Sequence, residues 1–268
     1  MTRIAICAFH GWSDAEQSAT GAVDHLLQVW PSRTLARISA ENYIDFQVNR
    51  PQVRLDEARR KVIDWPDTRI DHVQPPRGLD IVLVHGPEPS LRWGGFCTEL
   101  VERLLQFEVS HVILLGAVLS DAPHTRPLPV AERTEPGLSE PVAGEIYEGP
   151  VGISAIIART AVSQGLRTSS MWVEVPHYVS HSGCPKAVLA LVRALQEHIS
   201  APIPLGDLEE EAAAWQRGAD ELAREDAEIG SYVAELESSQ DASDMAEASG
   251  DAIAREFEQF LRRREDED

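Results

Sequence analysis

The sequence predicts an α/β fold, a three-layer α/β/α sandwich built on a mostly parallel sheet. Three observations predict it. Unbroken apolar runs such as LDIVLV at residues 79–84 have the pattern of strands buried on both faces, as parallel sheets require. Such runs alternate with amphipathic helical patterns, the order that gives right-handed parallel crossovers. Each run ends in a polar turn rich in Gly, Pro or His before the next helix begins. With 43% apolar residues in 268, the chain can bury one large core and carry an appendage.

The first strand is expected from Arg3 to Phe9, broken by His10-Gly11-Trp12. Ser13-Asp-Ala-Glu16 reads as a capping box, in which the Ser13 hydroxyl and Glu16 carboxylate satisfy the first free N–H groups of a helix. That helix runs to about Val29, Pro31 follows it, and a second strand spans about Arg33 to Ile38. The opening is thus β-α-β, the signature of parallel pairing. Residues 41–74 differ: their short alternating runs, with turns at Asn49-Arg-Pro and Pro66-Asp, predict an antiparallel meander inserted beside the sheet. Tyr43, Phe46, Trp65 and Trp93 would supply its apolar contacts, covering a sheet edge or meeting another subunit.

Leu79 to Val84 is the clearest parallel strand, followed by a helix from Leu91 to Phe107 and a strand at Val112 to Leu115. Ser120 to Gly149 is polar, proline-rich and too long for a passive connection; Leu128 to Arg133 is its candidate short strand. A helix begins at Gly149-Pro-Val-Gly-Ile and ends near Gly165. The strand Thr168 to Val175 stops at Pro176, which has no N–H for a ladder. After a polar loop, Pro185 opens a helix at the first-turn position where its missing N–H costs nothing, and the helix continues to Ile199.

Beyond Pro202-Ile-Pro, a heptad seam of Leu208, Ala212, Trp215, Ala219, Leu222, Ile229, Val233 and Leu236 is broken at Asp226. Ile253, Phe257, Phe260 and Leu261 make a second, shorter apolar face. The chain therefore divides into an α/β domain, 1–203, and an acidic helical arm or hairpin, 204–268, with a disordered tail from Arg262. Of the formal net charge of −20, residues 207–268 hold −15, with 21 Asp/Glu against 6 Arg. This balance argues against binding nucleic acid or an anionic membrane through a basic surface. Three widely spaced cysteines and no apolar run of membrane-spanning length point to a reduced, cytoplasmic protein.

Several segments carry a family resemblance. Val175-Pro-His-Tyr-Val and Cys184-Pro-Lys-Ala before a leucine-rich helix are joined by Gly86-Pro-Glu-Pro with Arg92-Trp93. Leu115-Gly-Ala-Val-Leu-Ser-Asp-Ala-Pro-His-Thr-Arg-Pro and Tyr147-Glu-Gly-Pro-Val-Gly-Ile complete the set. Together, over residues 1 to about 237, they resemble the proteasome assembly chaperone 2 family in its actinobacterial branch. The resemblance implies a fold similar to purine nucleoside phosphorylases and a relation to chaperones that help assemble proteasomes; it implies no reaction.

The candidate site lies in the strand-end loops, because open α/β sheets gather ligands at the carboxyl ends of their strands. These loops carry His10 and Asp14; Glu88 and Arg92; Asp121, His124 and Arg126; and His177, Tyr178 and Lys186. Brought into one crevice, they would place acid, base and cation together, suited to holding an anion and moving a proton. The plainer reading has Asp and Glu capping helices and Arg and Asp pairing to fix loops. His177, His181 and Cys184 are zinc-ligand types, but their loop spacing does not make a metal site, so no metal or other cofactor is expected. Two functions remain: a homo-oligomeric scaffold or assembly-chaperone-like protein, a trimer with proteasome subunits or another protein as client, or an enzyme or binder of a phosphate- or purine-like ligand.

Overall fold

Alternating apolar and polar segments are laid down as strands and helices in the following order. Strand β1 (Arg3–His10) leads to helix α1 (Ser18–Val29) and strand β2 (Ser32–Ile38). Strands β3 (Gln52–Leu55), β4 (Lys61–Asp64), β5 (Thr68–Val73) and β6 (Asp80–Pro87) precede α2 (Trp93–Gln106) and β7 (Val109–Ser120). Strand β8 (Val130–Thr134), α3 (Ile153–Ser163), β9 (Arg167–Pro176) and α4 (Pro185–His198) complete the body. Two further helices follow, α5 (Leu208–Glu225) and α6, residues 227–242. The structure is a computed structural model that describes residues 3–137, 149–179 and 183–242. The second C-terminal apolar face, the tail and His181 lie outside them.

The seven-stranded sheet has the order β2-β5-β6-β1-β7-β9-β8. The four central strands β6, β1, β7 and β9 are parallel, while β5 and β8 run against their neighbours. The fold is a three-layer α/β/α sandwich with a mostly parallel sheet. Alternation along β1 shows why two helical layers are needed. Ile6 and Ala8 face a core with α1 and α4, whereas Ala5, Cys7 and Phe9 face one with α2 and α3.

Three expectations are corrected. β2 does not pair with β1: it runs parallel to it from the far edge and bonds antiparallel to β5. The crossover rule concerns direction and handedness, and β5 and β6 take the intervening places. The inserted segment is not one meander. β3 and β4 form a separate two-stranded sheet, and β5 joins the main sheet. Tyr43 and Trp93 accordingly leave the hairpin: Tyr43 stands edge-on to Phe96 at 5.4 Å, and Trp93 donates to the Pro89 carbonyl, while Phe46 and Trp65 remain together at 5.3 Å.

The third correction concerns the start of α1. Asp14, not Ser13 with Glu16, caps it: its Oδ1 accepts from the backbone N–H groups of Ala19 and Thr20, and its Oδ2 from the Thr20 hydroxyl at 2.6 Å. Glu16 and Gln17 take left-handed backbone angles, so the helix starts at Ser18 and the capping-box spacing is lost. Glu16 instead accepts from the Gly183 N–H at 3.1 Å, tying the first strand-end loop to the loop before α4.

The first helix of the arm packs against the body. Leu208, Ala212 and Ala219 are buried, and the first two join the core beneath α4. The seam breaks at Asp226, whose carboxylate accepts from the N–H groups of Glu228 and Ile229 and so starts α6.

Candidate functional site: the carboxyl edge of the sheet

The carboxyl ends of β1, β6, β7 and β9 bring the ten candidate residues to one edge, in two sets with Arg92 apart from both. The first set surrounds the β1 turn. His10 lies 3.4 Å from Asp14 Oδ2 and 3.2 Å from the Thr20 hydroxyl, and the Asp14 carboxylate raises its pKa. Glu88 Oε1 accepts from the Ile153 N–H at 2.8 Å, so a carboxylate already occupies the positive end of α3. The chain passes closely here. A Cβ on Gly152 would stand 2.3 Å from Ser13 Oγ, and Gly11, at φ +134°, faces Glu88 Cβ. Among the described residues, the buried Ser13 hydroxyl has no hydrogen-bond partner. Arg92 is exposed in a left-handed conformation before α2, 5.9 Å from the Tyr43 ring centre.

The second set lies at the ends of β7 and β9. Buried His124 donates its backbone N–H to the Tyr178 oxygen at 2.7 Å, and its Nδ1 meets the same oxygen at 2.8 Å. Its Nε2 is 3.1 Å from Asp220 on α5. Burial lowers the His124 pKa and pushes the Tyr178 hydroxyl up to about 12. Lys186 donates to the His124 carbonyl and to Gln216 on α5, and burial lowers its pKa. Arg126 grips α6, with Asp241 at 3.0 and 2.9 Å and Glu237 at 3.2 Å. Tyr232 donates to Asp121 at 2.8 Å, and His177 lies 3.3 Å from the same carboxylate. The rings of His177, Tyr178 and Tyr232 meet edge-on with centroids 5.6–5.8 Å apart.

The arm residues Gln216, Asp220, Tyr232, Glu237 and Asp241 are the partners the sequence reading did not find. A signal existed: positions 216 and 220, and 237 and 241, are four apart and share helix faces beside the seam. Nothing in their spacing says what they face. Chemically, the second set is a hydrogen-bonded cluster ringed by ion pairs, and an acidic strap fills its outer side. An open cavity of about 400 Å³ remains between His124, Thr125, Asp220 and Glu237. Cys184 is buried, and burial pushes its thiol up to about 11, outweighing the nearby start of α4. Among the described residues, no group of three or more His, Cys, Asp or Glu could hold a metal ion, and no helix is long and apolar enough to cross a membrane.

With this geometry in place, kinship can be stated. The profile of the PAC2 family matches residues 8–223. A PAC2 family protein from Streptomyces avermitilis is 43% identical, with a TM-score of 0.78, covering 86% of this chain and 99% of its own. A proteasome-assembly chaperone homologue from Mycobacterium tuberculosis is 39% identical, with a TM-score of 0.76 and the same coverages, 86% and 99%. PbaB of Pyrococcus furiosus, an archaeal proteasome activator, shares the fold at 16% identity and a TM-score of 0.61, covering 83% of this chain and 92% of its own. No curated protein matches the chain. This chain belongs to the PAC2 family.

Proposed function

We propose that the protein works by binding other proteins: a cytoplasmic, homo-oligomeric assembly chaperone, a trimer, whose client is the proteasome or its subunits. One observation carries the reading. The strand-edge residues divide into locally satisfied sets, with carboxylates of the same chain standing where a ligand anion would be held. Glu88 caps α3, and Glu237 and Asp241 hold Arg126. Support for the client comes from the relatives described as a proteasome-assembly chaperone homologue and a proteasome activator. In this reading the body (1–203) makes the main contacts of the ring, and the arm that begins at 204 is anchored to that body through α5.

The test mixes the protein with proteasome α- and β-subunits from the same organism and follows assembly intermediates by native mass spectrometry. A stable complex and faster appearance of the full particle are expected. No complex, together with a melting temperature raised by inorganic phosphate or a purine nucleoside, would replace this reading with that of a small-ligand binder at the strand edge.

A further inference from the structure

Among the described residues, nothing buries the apolar face of the β3–β4 hairpin. A two-stranded sheet alone is marginally stable in water, and its apolar face needs a cover. Val53 pairs directly with Ile63, and Leu55 with Lys61, so Val53, Leu55 and Ile63 share one face. That face is exposed: Val53 is 62% exposed, Leu55 54% and Ile63 51%. Trp65, at the end of the hairpin, is half exposed as well.

A second exposed apolar surface lies across the strand edge. Trp12 is 66% exposed, and a Cβ on Gly152 would stand 3.4 Å from its ring, beside exposed Val151. The Ser13 carbonyl accepts from the Ala117 N–H, so the Trp12 turn runs beside the end of β7, where Val118 is exposed on the α2/α3 side of the sheet that also holds the start of α3. The charges around the two surfaces are opposite. Residues 50–64 hold five Arg/Lys against three Asp/Glu in a chain of net charge −20. The Trp12 surface has Glu88 on one side. On the other are Asp121 and helix α6, which carries Glu228, Glu235, Glu237 and Asp241 and no Lys or Arg.

We propose that the β3–β4 hairpin of one copy docks by its Val53/Leu55/Ile63 face on the Trp12/Val118/Val151 surface of the next copy. Arg50, Arg59 and Lys61 then face the acidic α6. The inference rests on the homo-oligomer reading above and specifies its contact. Two different surfaces of one chain make a head-to-tail contact, which closes into a ring when the rotation allows. Apolar burial supplies the attraction, while charge sets orientation and rejects hairpin-on-hairpin pairing.

The wild-type mass is measured first by light scattering, then that of Val53→Asp/Ile63→Asp and of Trp12→Asp/Val118→Asp. All four side chains are exposed, so the protomer should keep its circular dichroism spectrum. Both variants are expected to fall to the 29.6 kDa protomer. Independently, Val53→Cys and Val118→Cys proteins, mixed under mild oxidation, should form a disulfide-linked dimer more readily than either alone; Cys7, Cys97 and Cys184 are buried and do not compete. A wild-type ring that survives both charge variants, with no preferential cross-link in the mixture, overturns this contact and leaves the homo-oligomer reading standing. A wild-type protomer of 29.6 kDa overturns both.

Discussion

The two helices of the acidic arm have similar composition but are held by different forces. α5 turns Leu208, Ala212 and Ala219 into the body, and its exposed acidic side chains contribute little to its placement. α6 buries Val233 and sets the Tyr232 ring against His177 and Tyr178, but is held mainly by polar contacts: Arg126 to Glu237 and Asp241, Thr125 to Glu237, and Tyr232 to Asp121. Apolar burial does not weaken with salt, whereas partly exposed ion pairs do. A charge-rich helix can thus belong to a core, and its neighbour can be a strap that conditions loosen.

The largest expected effect tests the apolar half. Leu208→Ala removes a buried side chain beneath α4 and should cost about 2–5 kcal/mol, read as a lower urea midpoint. A loss below about 1 kcal/mol would mean that α5 does not share the body's cooperative unit. On the ionic half, Arg126→Ala should cost at most about 1 kcal/mol, because the arginine and its partners are partly exposed. Its signature is local: faster amide exchange across residues 227–242, with α5 unchanged. Equal acceleration in both helices would erase the distinction.

Salt sharpens the same contrast without a mutation. Raising sodium chloride from about 0.05 to 1 M shortens the Debye length from more than 10 Å to about 3 Å, so exchange in α6 should rise while α5 stays protected.

The smallest effect is a pH dependence where α5 meets the body. Burial holds the His124 pKa below its ordinary value of 6.5, although Asp220 and Glu237 pull it upward and Lys186 adds to the lowering. The unfolded chain therefore takes up the proton first as pH falls. His124 contributes stability above 6.5 that is lost progressively below it, until the lower folded value is passed. His10, raised by Asp14, works oppositely: its contribution is full below 6.5 and is lost as pH rises through its folded value. The difference between proteins isolates His124: His124→Gln should lose less stability than wild type between pH 7 and 5. An identical loss in both would remove His124 from the account.

Local pattern made much of this legible. The unbroken apolar run at 79–84 lies within β6, Pro185 opens α4, and Asp226 breaks the arm where the heptads predict. The capping box failed because Glu16 and Gln17 turn left-handed, which no spacing rule contains. Among the site residues, the sequence placed all ten near strand or helix ends but could not say which would meet. Glu88 and Arg126 both look like members of an anion site, yet one caps α3 and the other holds α6.

By itself the sequence determined the alternation of elements, the four central parallel strands and the acidic amphipathic arm, because hydrophobic period and chain punctuation act over a few residues. Only the tertiary structure decided that β2 bonds to β5 at the sheet edge, that a hairpin leaves the sheet with its apolar face exposed, and that the arm folds over the strand-end loops. These outcomes depend on which distant surfaces compete best for each other. His124 and Asp220 are 96 residues apart, and their meeting depends on how α5 lies along the body.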